Sequence, residues 1–298
     1  MRSNLYALRA FKAALVLARL IPRSASQQIA QLVARLAYAR VPSAHAALHD
    51  NLQRVTGKTG PELDTLCARN VAEFSRMLAD YFICAGRESS HSTNLVDEWR
   101  GFPNLEEALA LGRGVIIVTA HLGNWEIGGT LLALSGRPLT VITLDEPSTE
   151  LTRWRDRLRQ HLGISTIIVG PGHDFAFVEM IQTLRRNEIL AMLVDRPHAG
   201  TGSPVDFFGA PTEFSTGPAR LWQHTDAAVL PAFVLRNGRN RYTSFIDPML
   251  PLARSGDPRA DLNLNTQRIA THFENIIRQH PEQWFNYVPI WNSPPAAA

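Results

Sequence analysis

A histidine and a glutamate stand close together in residues 118–126, which read Val-Thr-Ala-His-Leu-Gly-Asn-Trp-Glu. An imidazole can take a proton from a hydroxyl group near neutral pH, and a carboxylate behind it can hold its second ring nitrogen. We predict that Glu126 orients His121 as a general base. The structural alternative is a half-buried histidine that ends a strand, followed by a carboxylate that stabilises the start of a helix.

The residues around this pair predict a strand, a tight turn and a helix. Residues 112–120 form a short apolar run bounded by glycine, which is typical of a buried parallel strand. Gly123 permits a tight turn, and Asn124 is a favoured N-cap for a helix over residues 125–134. In open α/β sheets, ligands bind beyond the carboxyl ends of the strands. The sequence therefore places His121 where a ligand is expected.

The rest of the chain repeats this alternation of strands and helices. Further strands are predicted at 139–144, 165–169, 189–194 and 227–235, and further helices at 149–162 and 175–187. This order predicts an α/β fold with a largely parallel central sheet flanked by helices. The segment 199–218 is rich in Gly, Pro, Ser and Thr, which predicts an ordered functional loop.

The N-terminal part has a different character, because residues 1–49 contain no Asp or Glu. Helices are predicted at 4–21, from Ser24 or Ser26 to 38, at 43–55 and at 61–85. Four basic residues of the first helix fall within roughly a third of the helical wheel: Arg2, Arg9, Lys12 and Arg19. We predict a helical membrane-docking portion over 1–88, which binds an anionic membrane surface, and an α/β domain over 89–298. Alternatively, the first helix packs on the domain and leaves its basic face in water.

Several ordered motifs resemble those of the bacterial lipid A acyltransferase family, which includes lauroyl and myristoyl transferases and mycobacterial phosphatidylinositol mannoside acyltransferases. His-Leu-Gly-Asn-Trp-Glu is similar to the catalytic box of that family. The other matching segments are 159–163 (Arg-Gln-His-Leu-Gly), 194–196 (Val-Asp-Arg), 205–209 (Val-Asp-Phe-Phe-Gly), 216–219 (Thr-Gly-Pro-Ala) and 281–285 (Pro-Glu-Gln-Trp-Phe). The resemblance covers nearly the whole chain and implies a glycerolipid-acyltransferase-like fold.

The resemblance implies transfer of a fatty acyl chain from acyl carrier protein or coenzyme A to a hydroxyl of a membrane glycolipid. It implies a peripheral enzyme on the cytoplasmic face of the bacterial inner membrane, with no cofactor. A lipid A precursor is the leading acceptor. The Gly-Asn-Trp form of the box and the Pro-Glu-Gln-Trp ending lean slightly towards the alternative, a glycosylated phospholipid of the phosphatidylinositol mannoside type. Arg159 is the candidate donor to the oxyanion, with backbone N–H groups near Gly123 or Asn124 as a second source.

Five further residues are predicted to bind substrate: Asn124, Asp195, Arg196, Thr216 and Gly217. Asp195 follows a buried strand and is expected to orient either Arg196 or an acceptor hydroxyl. Alternatively, Asp195 and Arg196 have only a structural role at the end of the strand. Thr216 and Gly217 open a predicted helix, which either binds an anion or only caps itself.

Other functional classes find little support in the sequence. It contains no GxSxG, HExxH or GxGxxG motif, which argues against a serine hydrolase, a zinc protease and a dinucleotide enzyme. Its lack of a nucleic-acid-binding motif argues against nucleic acid as a partner. Cys67 and Cys84 are expected to be small buried residues rather than a disulfide pair. A lipid hydrolase and a non-catalytic lipid-binding protein remain the alternatives.

Overall fold

A computed structural model describes residues 8–85, 90–144, 148–196 and 202–291 of the chain. Its N-terminal part contains the four predicted helices: α1 (Leu8–Leu20), α2 (Arg23–Tyr38), α3 (Pro42–Thr56) and α4 (Gly60–Cys84). Pro22 separates α1 from α2, because proline lacks the N–H group that would continue the first helix. Gly57, with φ 68°, ends α3 in the left-handed region that glycine tolerates.

Strands and helices alternate along most of the remaining chain. The helices are α5 (Ser90–Thr93), α6 (Phe102–Ala110), α7 (Trp125–Ala133), α8 (Thr149–His161), α9 (Ala176–Arg185), α10 (Gly217–Thr225) and α11 (Pro258–Gln279), followed by a 3-10 turn at Pro281–Gln283. The strands are β1 (Val96–Arg100), β2 (Val115–Thr119), β3 (Leu139–Leu144), β4 (Ile164–Val169), β5 (Ile189–Leu193), β6 (Gly202–Phe207), β7 (Ala210–Ser215), β8 (Ala228–Arg236) and β9 (Tyr242–Ile246).

Seven of these strands form one mixed sheet in the order β1-β9-β8-β2-β5-β3-β4. Five of its six pairings are parallel, and β8 and β9 pair antiparallel. The predicted α/β fold with a largely parallel sheet between helices is confirmed. Because β2 lies between β8 and β5, its carboxyl end is flanked by two other strand ends of the same polarity.

The central strand β2 is apolar on both faces, so both faces can be covered. Ile116 and Val118 belong to a core cluster that also contains Leu48 of α3 and Leu63 of α4. The opposite face, represented by Ile117, packs in a second cluster with α6. Helices α3 and α4 therefore share a hydrophobic core with the sheet, and the division into portions 1–88 and 89–298 stays a prediction.

The prediction of a loop over residues 199–218 is wrong for most of the residues that the structure describes. Residues 202–215 form the antiparallel hairpin of β6 and β7, with Phe208 (φ 51°) and Gly209 (φ 72°) in its turn. The reason is an alternating pattern that the high Gly and Pro content obscures: Ser203, Val205 and Phe207 are buried, and the residues between them face outwards. Residues 199–201 lie outside the described part.

The N-terminal helices present a mixed surface. Among the described residues, no helix is long and apolar enough to cross a bilayer. Of the predicted basic sector, Lys12 is exposed, whereas Arg2 and the side chains of Arg9 and Arg19 lie outside what the structure describes. Helix α2 is attached to α4 by a bidentate ion pair, in which Arg23 donates to the buried carboxylate of Asp80 at 2.7 and 2.8 Å.

Candidate active site

The site forms where two neighbouring parallel strands end. The register of β2 and β5 pairs Thr119 with Leu193, and two residues further on stand His121 and Asp195. The imidazole Nδ1 of His121 lies 2.8 Å from Oδ1 of Asp195. The backbone N–H of His121 also donates to this carboxylate, at 3.1 Å from each oxygen. Ring and backbone of His121 are therefore both fixed by one acid.

Two side chains from the C-terminal segment complete the surroundings of Asp195. The indole N–H of Trp284 and the amide of Asn286 each donate to Oδ2 at 3.0 Å. Burial of this carboxylate favours its protonation, but His121, Arg196 and Asn286 outweigh burial and hold the pKa of Asp195 well below its usual range. Asp195 is therefore ionised and can stabilise a positive charge on the imidazole.

Backbone pairing joins the C-terminal segment to the histidine loop. Phe285 N–H donates to the carbonyl of His121 at 2.7 Å, and Gly123 N–H donates to the carbonyl of Gln283 at 3.0 Å. Gly123 has φ 65°, and a Cβ at this position would lie 2.1 Å from the carbonyl oxygen of Val234. Position 123 therefore requires glycine, as the tight turn predicted.

Glu126 has different partners from those predicted. Its Oε1 accepts from Nη2 of Arg155 at 2.6 Å and from Nη2 of Arg159 at 3.4 Å. Burial raises the pKa of Glu126, but the charges and hydrogen bonds of Arg159 and Arg155 outweigh burial and lower it. The carboxylate that contacts the imidazole of His121 is that of Asp195. The structure therefore has a His121–Asp195 contact in place of the predicted contact between His121 and Glu126. The physical reason is that helix α8 brings two guanidinium groups to Glu126.

A tyrosine lies beside this acidic and basic cluster. Tyr81 of α4 packs close enough to Arg155 and Glu126 for their charges to affect its hydroxyl. Burial and the negative charge of Glu126 raise the pKa of Tyr81 to about 12, against the opposing effect of the arginines. Tyr81 therefore keeps its proton near neutral pH.

His121 and the Glu126 cluster line one cavity of about 260 Å³. Five ionisable side chains stand in its wall: Arg100, His121, Glu126, Arg155 and Arg159. Most of the remaining wall is apolar, and it is contributed by the sheet and by α6 and α7. Trp125 meets the imidazole of His121 edge-to-face, with ring centroids 5.4 Å apart. The arrangement places an imidazole, which can act as a base, in the wall of a cavity that can bind hydrocarbon.

The remaining predicted substrate-binding residues lie elsewhere. Asn124 is fully buried, where its side-chain oxygen caps α7 at Ile127 N (3.1 Å) and its amide donates to the Tyr242 hydroxyl (3.4 Å). Arg196 donates to the Asn286 side chain and to the Phe285 carbonyl, so it holds the C-terminal segment in place.

Thr216 precedes α10 and is buried, and Gly217 N–H donates to Ser215 Oγ at 3.3 Å. Among the residues that the structure describes, neither Thr216 nor Gly217 lines the cavity. The described residues also contain no group of three His, Cys, Asp or Glu side chains placed to hold a metal ion.

Sequence reasoning missed three contributors to the site: Arg155, Trp284 and Asn286. A signal for one pairing was present, because His121 and Asp195 each follow the end of a predicted strand. Trp284 lies within the Pro-Glu-Gln-Trp motif, but nothing in the sequence indicates that its indole reaches Asp195.

Comparison with known proteins decides the family. The sequence pattern of the family described as bacterial lipid A biosynthesis acyltransferase matches residues 4–293. The chain belongs to this family. It is an acyltransferase of the O-acyl-transferring class, as predicted.

Two curated mycobacterial proteins illustrate the relationship. The phosphatidylinositol mannoside acyltransferase of Mycobacterium tuberculosis (strain CDC 1551 / Oshkosh) is 30% identical over 247 residues, which cover 82% of this chain and 76% of the relative. The protein of the same name from Mycolicibacterium smegmatis is 28% identical over 276 residues, or 92% of this chain and 88% of the relative.

In this acyltransferase, the hydrogen bond to Asp195 decides which ring nitrogen can meet a substrate. Since Nδ1 faces Asp195, Nε2 is the ring nitrogen on the side away from this carboxylate. The side chain of His121 keeps 23% of its surface exposed, whereas that of Asp195 has none. A substrate can therefore reach the imidazole but not the carboxylate behind it.

Proposed function

We propose that this acyltransferase moves a fatty acyl chain from an acyl thioester to a hydroxyl of a membrane glycolipid, with His121 as general base. The observation that carries the proposal is the His121–Asp195 pair at the wall of an apolar cavity. A free hydroxyl is a weak nucleophile near neutral pH, so it needs a base within hydrogen-bond reach.

The reaction needs no covalent enzyme intermediate. The acceptor oxygen attacks the thioester carbon as its proton moves to Nε2 of His121, and Asp195 stabilises the imidazolium that results. When the tetrahedral intermediate collapses, the carbon–sulfur bond breaks and the leaving thiolate takes this proton. The base is then restored for the next cycle.

The negative oxygen of the intermediate needs a donor in place before the reaction begins. Arg159 is our candidate, because it lines the cavity that His121 also lines. Glu126 then acts as a positioning residue that holds Arg159 and Arg155 rather than as a partner of the imidazole. This assignment changes the role that the sequence predicted for Glu126.

The acceptor is either a lipid A precursor or a glycosylated phospholipid of the phosphatidylinositol mannoside type. The family description supports the first and the names of the two mycobacterial relatives support the second. Both acceptors are membrane glycolipids that carry hydroxyl groups, which is what the proposed base requires. The donor is an acyl-carrier-protein thioester or an acyl-coenzyme A.

Acyl transfer can be tested with the purified full chain, palmitoyl thioesters of both carriers and both acceptor classes in parallel. We expect transfer to one acceptor, and we expect His121→Ala to abolish it. His224→Ala is the matched control, because His224 is exposed on α10 and bonds a carbonyl of its own helix. Thioester hydrolysis without transfer would instead indicate a lipid hydrolase, and full transfer by His121→Ala would exclude the proposed base.

The proposal includes docking on the cytoplasmic face of the inner membrane through α1 and α2. In α2, four apolar side chains fall within about 100° of the helical wheel, each 51–61% exposed: Ile29, Leu32, Val33 and Leu36. In α1, Val16, Leu17 and Leu20 are 54–75% exposed. An exposed apolar stripe in a stretch without acidic residues fits an anionic bilayer.

Docking can be measured by sedimentation with phosphatidylcholine vesicles that contain or lack phosphatidylglycerol. We expect Leu32→Ser combined with Leu36→Ser to weaken binding at least about tenfold, because two exposed leucines no longer enter the bilayer. Leu264→Ser is the control, since Leu264 is 44% exposed on α11. Unchanged binding of the double variant, or equal loss in the control, would contradict docking through α2.

A further inference from the structure

Two adjacent glycines lie inside α7, three residues after the turn that carries His121 into this helix. Gly128 and Gly129 occupy the middle of Trp125–Ala133. Glycine weakens a helix interior relative to alanine, so a pair of glycines there calls for a reason. Neither residue has positive φ, so backbone conformation does not require them.

Space beneath the helix is the reason that the structure provides. A Cβ on Gly128 would lie 3.3 Å from Cγ2 of Val234, and a Cβ on Gly129 would lie 3.7 Å from Cδ1 of Ile164. Both glycines and both of these side chains line the catalytic cavity. Any side chain at position 128 or 129 would therefore project towards the cavity wall.

Two small residues of the sheet also line the cavity. Ala191 of β5 and Ala232 of β8 contribute to the wall on either side of β2. Helices normally pack on sheets through larger side chains, which fill the space between the two layers. Here glycines on the helix and alanines on the sheet keep a passage open between them.

The cavity extends sideways beneath this helix. Its wall includes Ile164 on β4 and Trp99 on β1, the strands at the two edges of the sheet. These edges are six strand spacings apart, or about 29 Å. Trp99 is 44% exposed, so the wall reaches the protein surface at the β1 edge. A largely apolar cavity with walls on strands at both edges of the sheet suits an extended hydrocarbon chain.

We infer that Gly128 and Gly129 determine the length of acyl chain that this enzyme transfers. The inference rests on the proposed function, because the chain is taken to enter with its thioester at His121. A tail that continues from His121 runs beneath α7, and its length is limited by the side chains that project from this helix. Leu132, one turn after Gly128 and Gly129, also lines the cavity and narrows it further along.

If the inference is right, filling the passage and enlarging it should shift the preferred acyl-chain length in opposite directions. Gly129→Leu fills the passage, whereas Gly129→Ala, whose Cβ makes an ordinary contact with Ile164, fills it only slightly. Leu132→Ala enlarges it. Gly238→Leu is the matched control, because Gly238 has negative φ and a Cβ there meets nothing within 4 Å.

The experiment measures kcat/KM with acyl-coenzyme A donors from octanoyl to stearoyl, with the acceptor that the wild-type protein uses. We expect Gly129→Leu to lower the ratio of long-chain to short-chain kcat/KM about tenfold or more. Gly129→Ala should lower it less, Leu132→Ala should raise it, and Gly238→Leu should leave it unchanged. The ratio is independent of the fraction of folded enzyme, so a partly unfolded variant still gives an answer.

Chain preference that is the same in all variants and the wild-type protein would overturn the inference while leaving the proposed function intact. If Gly129→Leu is inactive with every donor, Gly129→Ala and Leu132→Ala decide by the direction of their shifts. A wild-type protein that transfers no acyl group from any donor, including carrier-protein thioesters, would refute the proposed function and the inference together.

Discussion

The chain contains two histidine–aspartate pairs with the same separation in very different surroundings. His121 Nδ1 and Asp195 Oδ1 are 2.8 Å apart, and so are His272 Nε2 and Asp247 Oδ2. Asp195 has no exposed side-chain surface and accepts three further kinds of hydrogen bond, from Trp284, from Asn286 and from backbone N–H. In the second pair, both side chains are 27% exposed.

The difference indicates that two histidine–carboxylate pairs of equal length can interact with very different strength. The buried carboxylate of Asp195 acts in a medium of low dielectric, where its attraction for an imidazolium is strong and is not screened by water. Asp247 is partly exposed, so water screens its interaction with His272, and such a pair contributes little. His121 also lines the cavity, whereas neither His272 nor Asp247 does.

The largest effect is expected from replacing each histidine with glutamine. His121→Gln should lower kcat for acyl transfer by roughly 10³-fold, because the general base is lost. His272→Gln should leave kcat within about twofold, because an exposed pair of this kind contributes little. Steady-state transfer kinetics of the two variants check this prediction. Similar losses in both would show that the buried pair has no special role.

The next effect concerns the carboxylates. Asp195→Asn should reduce kcat by roughly 10²-fold with a small change in KM, because the amide cannot stabilise the imidazolium during proton transfer. Asp247→Asn keeps the same geometry at the other pair and should have almost wild-type kcat. A variant at position 195 with raised KM and unchanged kcat would contradict a role for Asp195 in the chemical step.

A smaller loss of kcat is expected when the carboxylate of Glu126, which binds Arg155 and Arg159, is neutralised. Glu126→Gln should lower kcat about tenfold, because Arg159 loses the charge that holds it beside the cavity. Glu126→Asp should recover part of this loss, since it restores the charge with a shorter reach. If Glu126→Gln lost as much activity as Asp195→Asn, Glu126 would act on His121 directly, as the sequence first indicated.

The smallest effect is on stability in acid. The pKa of Asp195 is lowered in the folded protein, so its ionised form stabilises the fold fully above its ordinary pKa of about 3.9. This contribution falls away as pH drops below that value towards the lowered pKa. The stability difference between wild-type protein and Asp195→Asn should therefore be constant from pH 7 to about pH 5 and shrink below about pH 4.

Urea unfolding across this pH range measures the difference, with Asp247→Asn as the exposed control. At pH 7, the free energy of unfolding of Asp195→Asn should be roughly 2 kcal/mol lower than that of the wild-type protein, because the buried donors around position 195 lose a charged acceptor. A stability difference that grows as pH falls would contradict the lowered pKa.

Local pattern was enough to predict the elements that support the site. The apolar run before His121 forms β2, and the runs at 139–144 and 189–194 form β3 and β5 with nearly the predicted ends. Strands β1 and β9 were missed, because Val96–Arg100 contains three charged residues and the apolar run of Tyr242–Ile246 is interrupted by Thr243 and Ser244. Both derive their strand structure from pairing with neighbours rather than from a buried apolar run.

The partners of each site residue could not be predicted in the same way. Glu126 is close to His121 in sequence, but Asp195 is close in space because β5 lies beside β2 in the sheet. Lateral strand order is a property of the whole fold and leaves no mark in the local pattern. Arg155 and Arg159 are four residues apart and share one face of α8, but nothing in the sequence indicates that this face turns towards Glu126.

The pairing of Phe285 with His121 has a consequence for the order in which the surroundings of the histidine form during synthesis. All strands of the sheet, the histidine and its aspartate are made before residue 284 leaves the ribosome. Until then, Asp195 lacks the indole and the amide that hold its carboxylate. The hydrogen bonds around the His121–Asp195 pair are therefore completed only after residue 286 has been made, later than the sheet that carries both residues.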